Sequence, residues 1–164
     1  GGARVRQVTA RRAGCWGAPA TRRPRAAPRL VRAFADLHVL LPAPRNPVVR
    51  DALLPTLGGL DRVHVTEPLD YPDFCRALQL ATIVLTDSGG LQEESTYFRT
   101  PCLTLRPNTE RPVTVTVGSN RLTNVATLAA DLQQLLAATS RIGSLPPLWD
   151  GRTSERILEN LCAA

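Results

Sequence analysis

The residues best suited to chemistry lie in the segment TIVLTDSGGLQEES, residues 82–95. A β-branched apolar run ends at Asp87, and Ser88, Gly89 and Gly90 then predict a tight turn into a helix. The N-terminus of a helix carries free N–H groups and a partial positive charge, which suit a phosphate. Glycine lets a ligand approach the backbone closely, and the serine hydroxyl offers a further hydrogen bond. The segment therefore predicts a phosphate site, with a plain glycine helix entry as the alternative.

Glu94 extends this candidate site. It lies four residues after Gly90, one turn into the predicted helix and on the same face. Carboxylates in dinucleotide-binding folds accept hydrogen bonds from ribose hydroxyls. A solvated glutamate on a helix surface is the alternative, and the local sequence leaves both open.

A second polar cluster, RPNTERP, occupies residues 106–112 after the next predicted strand. Arg106 and Arg111 bracket a threonine and Glu110. Arginine recognises phosphate through two parallel hydrogen bonds. The alternative is an Arg–Glu pair on a surface loop, which contributes little to stability.

Strands and helices alternate along the chain, and these elements must position both clusters. The predicted strands are 5–9, 38–42, 62–68, 82–87 and 101–106, and the predicted helices are one ending within 31–37, then 45–57, 70–81, 89–98, 125–140 and 154–164. Short apolar strands without polar alternation are typical of a parallel sheet covered on both faces. We therefore predict an α/β fold with a Rossmann-like, doubly wound parallel sheet, whose ligands bind at the carboxyl ends of the strands.

Composition excludes several classes of protein. The chain has 164 residues and contains no apolar run near 18 residues, so we predict one domain and no membrane-spanning helix. The net charge is +6, but 11 of the 20 arginines lie in residues 1–50, and residues 51–164 are mildly acidic. Aromatic residues make up 4%, too few for base stacking, so we expect no nucleic-acid partner. The sequence shows no charged and apolar leader, so we expect no secretory signal. Because the chain contains no Met, we interpret it as a fragment.

The cysteines argue against a metal site. Cys15, Cys75, Cys102 and Cys162 form no CxxC pair and have no histidine at ligand spacing, so we expect no zinc. Cys75 and Cys102 fall in apolar stretches and are predicted to be small buried hydrophobes. Such cysteines fit a reducing cytoplasm.

Several motifs, in order, resemble a known family. DSGGLQEES, TPCLTLRPNTERP and GSNRL are similar to the C-terminal half of the non-hydrolysing UDP-N-acetylglucosamine 2-epimerases. The likeness extends back through EPLDYPDF and forward to DGRTSERILENL, so it covers nearly the whole chain. It implies one half of a GT-B architecture, in which two Rossmann-like domains face each other across a cleft.

The resemblance also implies an activity. Members of the family interconvert UDP-GlcNAc and UDP-ManNAc, without a cofactor, by removing the proton at sugar C2, eliminating UDP and adding it back. The implied partners are these two nucleotide sugars, the missing N-terminal domain and, in the full-length enzyme, a second copy in a homodimer. Family members serve polysaccharide biosynthesis.

Three implied site residues, Ser88, Gly90 and Glu94, agree with the local interpretation above. By position in the family motif, Ser88 and Gly90 bind the diphosphate, and Gly89 contributes less directly. Glu94 holds the ribose.

The resemblance adds one binding residue, Phe74, and gives Arg111 a place in the site. Phe74, through its backbone, lies at the uracil, although its sequence context otherwise predicts a core residue. Arg111 supports the phosphate side of the site.

The chain departs from the family at positions used for proton transfer. The first loop of the family reads T-A-H-R-R-E-N, and here Arg11 takes the place of the histidine. Pro44 replaces a second family histidine, and Val113 replaces the glutamate after TERP. Arginine stays protonated at neutral pH and cannot exchange a proton as histidine does. His38 and His64 lie in predicted strands, so we expect core or edge roles for both.

The catalytic residues therefore remain unknown. The family's catalytic carboxylates lie in the N-terminal domain, so we expect the chain alone to be inactive. We divide it into residues 1–30, an Arg- and Pro-rich degenerate first strand and loop, and residues 31–164, the UDP-binding domain. A shifted reading frame upstream of about residue 30 is one hypothesis for that composition. The alternatives left open are a non-catalytic UDP-sugar-binding pseudoenzyme and the hydrolysing branch of the family, against which the TERP motif speaks.

Overall fold

The computed structural model describes residues 6–11, 26–43, 45–57, 59–137 and 143–163. Within them lie six strands: β1 (Arg6–Arg11), β2 (Leu37–Pro42), β3 (Val63–Thr66), β4 (Ile83–Thr86), β5 (Cys102–Leu105) and β6 (Asn120–Thr123). The helices in the same residues are α1 (Ala26–Ala33), α2 (Pro47–Leu57), α3 (Tyr71–Leu80), α4 (Gly89–Tyr97), α5 (Pro112–Thr116), α6 (Leu128–Ala137) and α7 (Thr153–Cys162).

The strands form one parallel sheet in the order β3-β2-β1-β4-β5-β6. Val8 of β1 pairs with Val39 on one side and with Ile83 on the other, so β1 is a central strand. The strand order reverses between β1 and β4, and in open α/β sheets ligands bind at this point. The predicted doubly wound, Rossmann-like fold is confirmed.

Two apolar clusters cover the two faces of the sheet. One joins α1, α2 and α6 to the strands through residues such as Leu30, Leu57 and Leu132. The other joins α3 and α4 to β4 and β5, with Leu78 and Leu91 at its centre. Burial on both faces explains why the strands lack polar alternation.

α3 begins as its sequence predicts. The Asp70 side chain accepts a hydrogen bond from the Asp73 N–H at 2.9 Å, and Pro72 occupies the first turn. The cap supplies a partner for an N–H that no helical carbonyl can reach.

α6 and α7 differ in burial. Leu128, Leu132 and Leu135 of α6 are buried, so the leucine face of this helix packs in the core. α7 buries no residue and exposes Ile157 and Leu161. No helix of the described ranges is long and apolar enough to cross a membrane.

Two short elements, α5 and β6, have no counterpart among the predicted ones. β6 has the sequence NRLT, which lacks a continuous apolar run, and it forms because Asn120 and Leu122 pair with β5. α5 has the sequence PVTVT, whose β-branched residues disfavour a helix. Pro112 nevertheless starts the helix, and its residue Thr114 is buried against the rest of the fold. In both elements tertiary contacts override local propensity.

The cysteines and histidines largely meet their predictions. Cys102 is buried, and burial raises the pKa of its thiol to about 11, whereas Cys75 is only half-buried. His38 of β2 is half-buried and His64 of the edge strand β3 is exposed, with 3.0 Å between Nδ1 of His38 and Nε2 of His64. Their ring planes differ by 5° and their centroids lie 5.4 Å apart, so the rings join edge to edge through one hydrogen bond.

Part of the predicted Arg- and Pro-rich segment 1–30 belongs to the sheet, since β1 supplies its central strand. Residues 12–25 lie outside the described residues. The boundary near residue 30 therefore stays a prediction.

Candidate functional site

The loop after β4 presents the N-terminus of α4 at the carboxyl edge of the sheet. Ser88 has extended backbone angles, φ −90° and ψ 133°, and α4 begins at Gly89. The Ser88 side chain makes no capping hydrogen bond, and the first turn of α4 contains no acidic residue. The helix therefore offers the N–H groups of its first turn and a serine hydroxyl at the same place.

Space at the two glycines is open. No atom lies within 4 Å of the position that a Cβ on Gly90 would take. At Gly89 the nearest atom is Oε2 of Glu110, 3.8 Å away. A ligand can thus approach the backbone closely at Gly90, as the sequence predicts, and it meets the Glu110 carboxylate beside Gly89.

Glu110 is itself paired. Its Oε1 accepts a hydrogen bond from Nη2 of Arg106 at 3.0 Å, and this contact lowers the pKa of the Glu110 carboxyl. The pair is exposed, as the surface-loop interpretation of RPNTERP expects. Arg106 therefore counters a carboxylate that would otherwise repel an anion at α4.

Arg111 contacts α4 directly. Its Nε lies 2.9 Å from Oε1 of Glu93, and its backbone N–H donates to the Thr109 hydroxyl. The guanidinium thus lies along the first turns of α4, beside the candidate phosphate site. Its predicted support of a phosphate stays a prediction.

Glu94 lies on α4 close to the start of α3. It is half-buried. The pKa of the Tyr71 phenol is raised, first by a hydrogen bond with Cys75 and also by the charges of Cys75 and Glu94. Glu94 is thus near the N-terminal turn of α3, which also contains Phe74.

The Phe74 side chain is 5% exposed and packs with Leu78, Val84 and Leu91. This is the core position that local sequence predicts. A contact between Phe74 and a base would therefore involve the Phe74 main chain, as the resemblance implies, and it stays a prediction.

A buried polar network under α4 escaped sequence analysis. Gln92 has no exposed surface, and its Oε1 accepts hydrogen bonds from Thr109 Oγ1 at 2.5 Å and from Asn120 Nδ2 at 3.1 Å. Asn120 also donates to Thr114 and accepts from Thr104. The spacing of Gln92 with the buried Ser95 and Thr96 is helical, and this pattern was the available signal.

A cavity on the other side of α4 also escaped sequence analysis. Its volume is about 320 Å³, and Glu93, Glu94, Tyr97 and Trp149 line it. Trp149 comes from the segment that precedes α7, far from α4 in sequence.

The carboxyl end of β1 lies at the same edge of the sheet. Arg11, which takes the place of the family histidine, ends β1 and pairs in register with Thr86 of β4. The backbone of Arg11 therefore lies beside the Ser88 loop, where the strand order reverses. Pro44, which replaces the second family histidine, lies outside the described residues.

Among the described residues, no group of three His, Cys, Asp or Glu side chains is arranged to hold a metal ion. The His38–His64 pair belongs to β2 and β3, at one end of the sheet. Neither histidine follows β4 or β5, where the candidate site lies.

The sequence profile of the UDP-N-acetylglucosamine 2-epimerase family matches residues 3–162. The chain belongs to this family. Its sequence is 38% identical over 163 residues to the UDP-N-acetylglucosamine 2-epimerase of Bacillus subtilis, covering 94% of this chain and 42% of that protein. The chain therefore spans less than half the length of this epimerase, in its C-terminal part.

Solved structures of epimerases share the fold. The S. aureus MnaA–UDP co-structure aligns with a TM-score of 0.80 at 34% identity, covering 96% of this chain and 44% of that one. The UDP-GlcNAc 2-epimerase from Neisseria meningitidis bound to UDP-GlcNAc aligns with a TM-score of 0.81 at 27% identity, with the same coverage. The predicted relation to half of a GT-B architecture is confirmed.

Proposed function

We propose that this chain is the UDP-binding half of a non-hydrolysing UDP-N-acetylglucosamine 2-epimerase. The whole enzyme would interconvert UDP-GlcNAc and UDP-ManNAc by eliminating UDP and adding it back. The observation that carries the proposal is the glycine N-terminus of α4, uncapped by Ser88, at the switch point of the sheet in a chain of this family. The co-structure of the S. aureus relative with UDP supports it.

The diphosphate would bind at the start of α4. The N–H groups of Gly89 and Gly90 and the Ser88 hydroxyl would donate to its oxygens, with the helix dipole favouring negative charge. Holding UDP in this way also stabilises it as a leaving group, because charge develops on the diphosphate when the bond to the sugar breaks. Arg111 would add positive charge beside the first turns of α4.

The nucleoside would lie toward α3. Glu94, one turn into α4, would accept hydrogen bonds from the ribose hydroxyls, and the main chain of Phe74 would face the uracil. The proximity of Glu94 to Tyr71 supports this direction, because the first turn of α3 then borders both positions.

Proton transfer at sugar C2 would need groups from outside the chain. Arg11 ends β1 at the site and stays protonated, and the two histidines belong to strands away from it. We therefore expect the chain alone to bind UDP and to have no epimerase activity. The N-terminal domain and a homodimer belong to the full-length enzyme that we propose, as does a role in polysaccharide biosynthesis in the cytoplasm.

A non-catalytic UDP-sugar-binding pseudoenzyme is the second candidate. Arginine at the family's histidine position favours it, since the change removes a group able to exchange a proton. Supplying an N-terminal domain from a relative separates the two candidates. Appearance of UDP-ManNAc from UDP-GlcNAc supports the epimerase, and binding without conversion supports the pseudoenzyme.

Calorimetric titration of the chain with UDP tests the binding function. We expect saturable binding that falls at least about 100-fold in a Ser88→Ala, Glu94→Ala double variant, because hydrogen bonds to charged groups contribute about 1.5–3 kcal/mol each. A Ser154→Ala, Glu159→Ala variant on the exposed α7 is the matched control and should bind UDP as the parent does. No binding by a chain that circular dichroism shows to be folded would refute the proposal.

A further inference from the structure

The cavity beside α4 combines carboxylates with aromatic rings. Glu93 and Glu94 come from α4, Tyr97 lies one turn further along, and Trp149 closes the other side. Its volume of about 320 Å³ is at the lower end of the range for small-molecule sites. Aromatic faces pack against the apolar face of a sugar, and carboxylates accept from its hydroxyls.

Charge favours a neutral ligand group in this cavity. Oε1 of Glu93 lies 2.9 Å from Nε of Arg111, so the charge of this carboxylate is compensated within the protein. A cation would have to compete with that guanidinium. A neutral group rich in hydroxyls can bind without displacing that guanidinium from Glu93.

Local structure holds Trp149 against α4. Leu148 has a left-handed backbone, φ 65°, which a branched residue adopts only when its surroundings impose it. Leu148 is 67% exposed, whereas Trp149 is only partly exposed and lines the cavity. The turn thus directs the leucine to solvent and the indole to α4.

α7 anchors the same turn. Nη1 of Arg156 donates to the Leu148 carbonyl at 3.4 Å, and Arg156 also forms an ion pair with Asp150. The backbone N–H of Trp149 donates to the Pro146 carbonyl at 3.3 Å. These contacts fix the main chain of the turn at Trp149 before any ligand arrives, which reduces the entropy lost on binding.

The cavity lies within reach of the proposed diphosphate site. Glu94 is four residues after Gly90, a rise of about 6 Å along the helix axis. That distance matches the separation between a phosphate and the ribose attached to it. A nucleotide whose phosphate is at Gly89 and Gly90 would place its sugar at the Glu94 wall.

We infer that Trp149 is a wall of the ribose pocket and determines the affinity for the nucleoside part of the ligand. The indole covers the apolar face of the ribose while Glu94 accepts from its hydroxyls. This inference rests on the proposed UDP-binding function. It adds Trp149 to the binding site and predicts that Trp149 acts only on ligands that contain the nucleoside. The Kd for inorganic pyrophosphate, which lacks the ribose, should therefore not depend on Trp149.

Fluorescence can observe this contact directly. The chain contains two tryptophans, so a Trp16→Phe variant retains Trp149 as its single indole. In this variant we expect UDP to change the emission saturably, with the same Kd as calorimetry gives. Pyrophosphate should bind by calorimetry and leave the emission nearly unchanged.

Substitution of Trp149 in the Trp16→Phe background gives the second test. We expect Trp149→Ala to raise the Kd for UDP about tenfold, because the substitution removes the aromatic face that covers the apolar face of the ribose. Trp149→Phe retains a ring and should restore the Kd to within about threefold of the parent. Neither change should alter the Kd for pyrophosphate by more than about twofold, since the phosphate contacts stay intact.

The outcomes separate the two proposals. UDP binding by calorimetry with silent emission and an unchanged Kd in Trp149→Ala would overturn the role of Trp149 and leave the UDP-binding function standing. An equal loss of UDP and pyrophosphate binding in Trp149→Ala would show a structural role, which also overturns the inference. No UDP binding by the folded parent would overturn both.

Discussion

The Thr109 hydroxyl donates a 2.5 Å hydrogen bond to the side-chain oxygen of Gln92, and this contact joins α4 to the loop after β5. Thr109 also accepts from the Arg111 N–H. The position of the arginine beside α4 thus depends on a glutamine with no exposed surface. The loop that carries Arg111 is therefore joined to α4 through a buried glutamine.

Gln92→Leu should destabilise the chain and weaken UDP binding together. Leucine removes the acceptor for the buried Asn120 amide and for the partly buried Thr109 hydroxyl, and a buried donor that loses its partner costs about 1–3 kcal/mol. Denaturant unfolding and calorimetry measure the two effects. Gln134→Leu is the control, because Gln134 is an exposed residue of α6 that bonds to Arg121. Unfolding free energies that are equal in the two variants would contradict the network.

Arg111→Ala should reduce UDP affinity more than Glu93→Ala does. A guanidinium that contacts the diphosphate contributes about 1.5–3 kcal/mol, whereas a half-exposed ion pair contributes about 0–1 kcal/mol. Calorimetry of both single variants and of the double variant separates these terms. Small, equal effects from both substitutions would mean that Arg111 acts only by pairing with Glu93.

Gly118→Ala should destabilise the fold by about 1–3 kcal/mol, as overpacking does. A Cβ at Gly118 would lie 2.6 Å from the Thr114 carbonyl oxygen and 2.6 Å from side-chain atoms of Thr96. Gly59→Ala is the matched control, since no atom lies within 4 Å of its added methyl group. Denaturant midpoints of both variants check the expectation, and equal midpoints would count against the packing between α4 and the α5–β6 turn.

Acid should release the turn that holds Trp149. The hydrogen bond from Arg156 lowers the pKa of Asp150, with a smaller contribution from the Arg152 N–H. Because the folded pKa is below the unfolded value, Asp150 stabilises the turn above the unfolded value, about pH 4. This contribution is lost as the pH falls through the folded pKa.

Trp149 emission in the Trp16→Phe variant measures this transition. We expect a red shift below about pH 4 that disappears in Asp150→Asn, whose turn is already loose at neutral pH. Glu155→Gln, which removes the partner of Arg152, should retain the step. A step that persists in Asp150→Asn would contradict the assignment to Asp150.

Most elements of the fold could be predicted because they depend on neighbouring residues. The apolar run of β4 and the glycines after it predict a strand, a turn and a helix, and α4 begins at Gly89 as expected. Asp70 and Pro72 likewise define the start of α3 by local hydrogen bonding and a restricted φ.

The predictable part of the candidate site is also local. Ser88, Gly90 and Glu94 belong to one loop and one helix, so their relative positions follow from helical geometry. Motif order added the family, which the profile match confirms.

The tertiary structure decided which distant residues meet at α4. The Glu93–Arg111 pair, the Gln92–Thr109 bond and the cavity wall at Trp149 all join segments separated along the chain. No local periodicity encodes such pairs, because they depend on strand order and on how each loop packs. The sequence by itself thus determined most of the elements and the glycine turn before α4, and packing between the elements decided the surroundings of that turn.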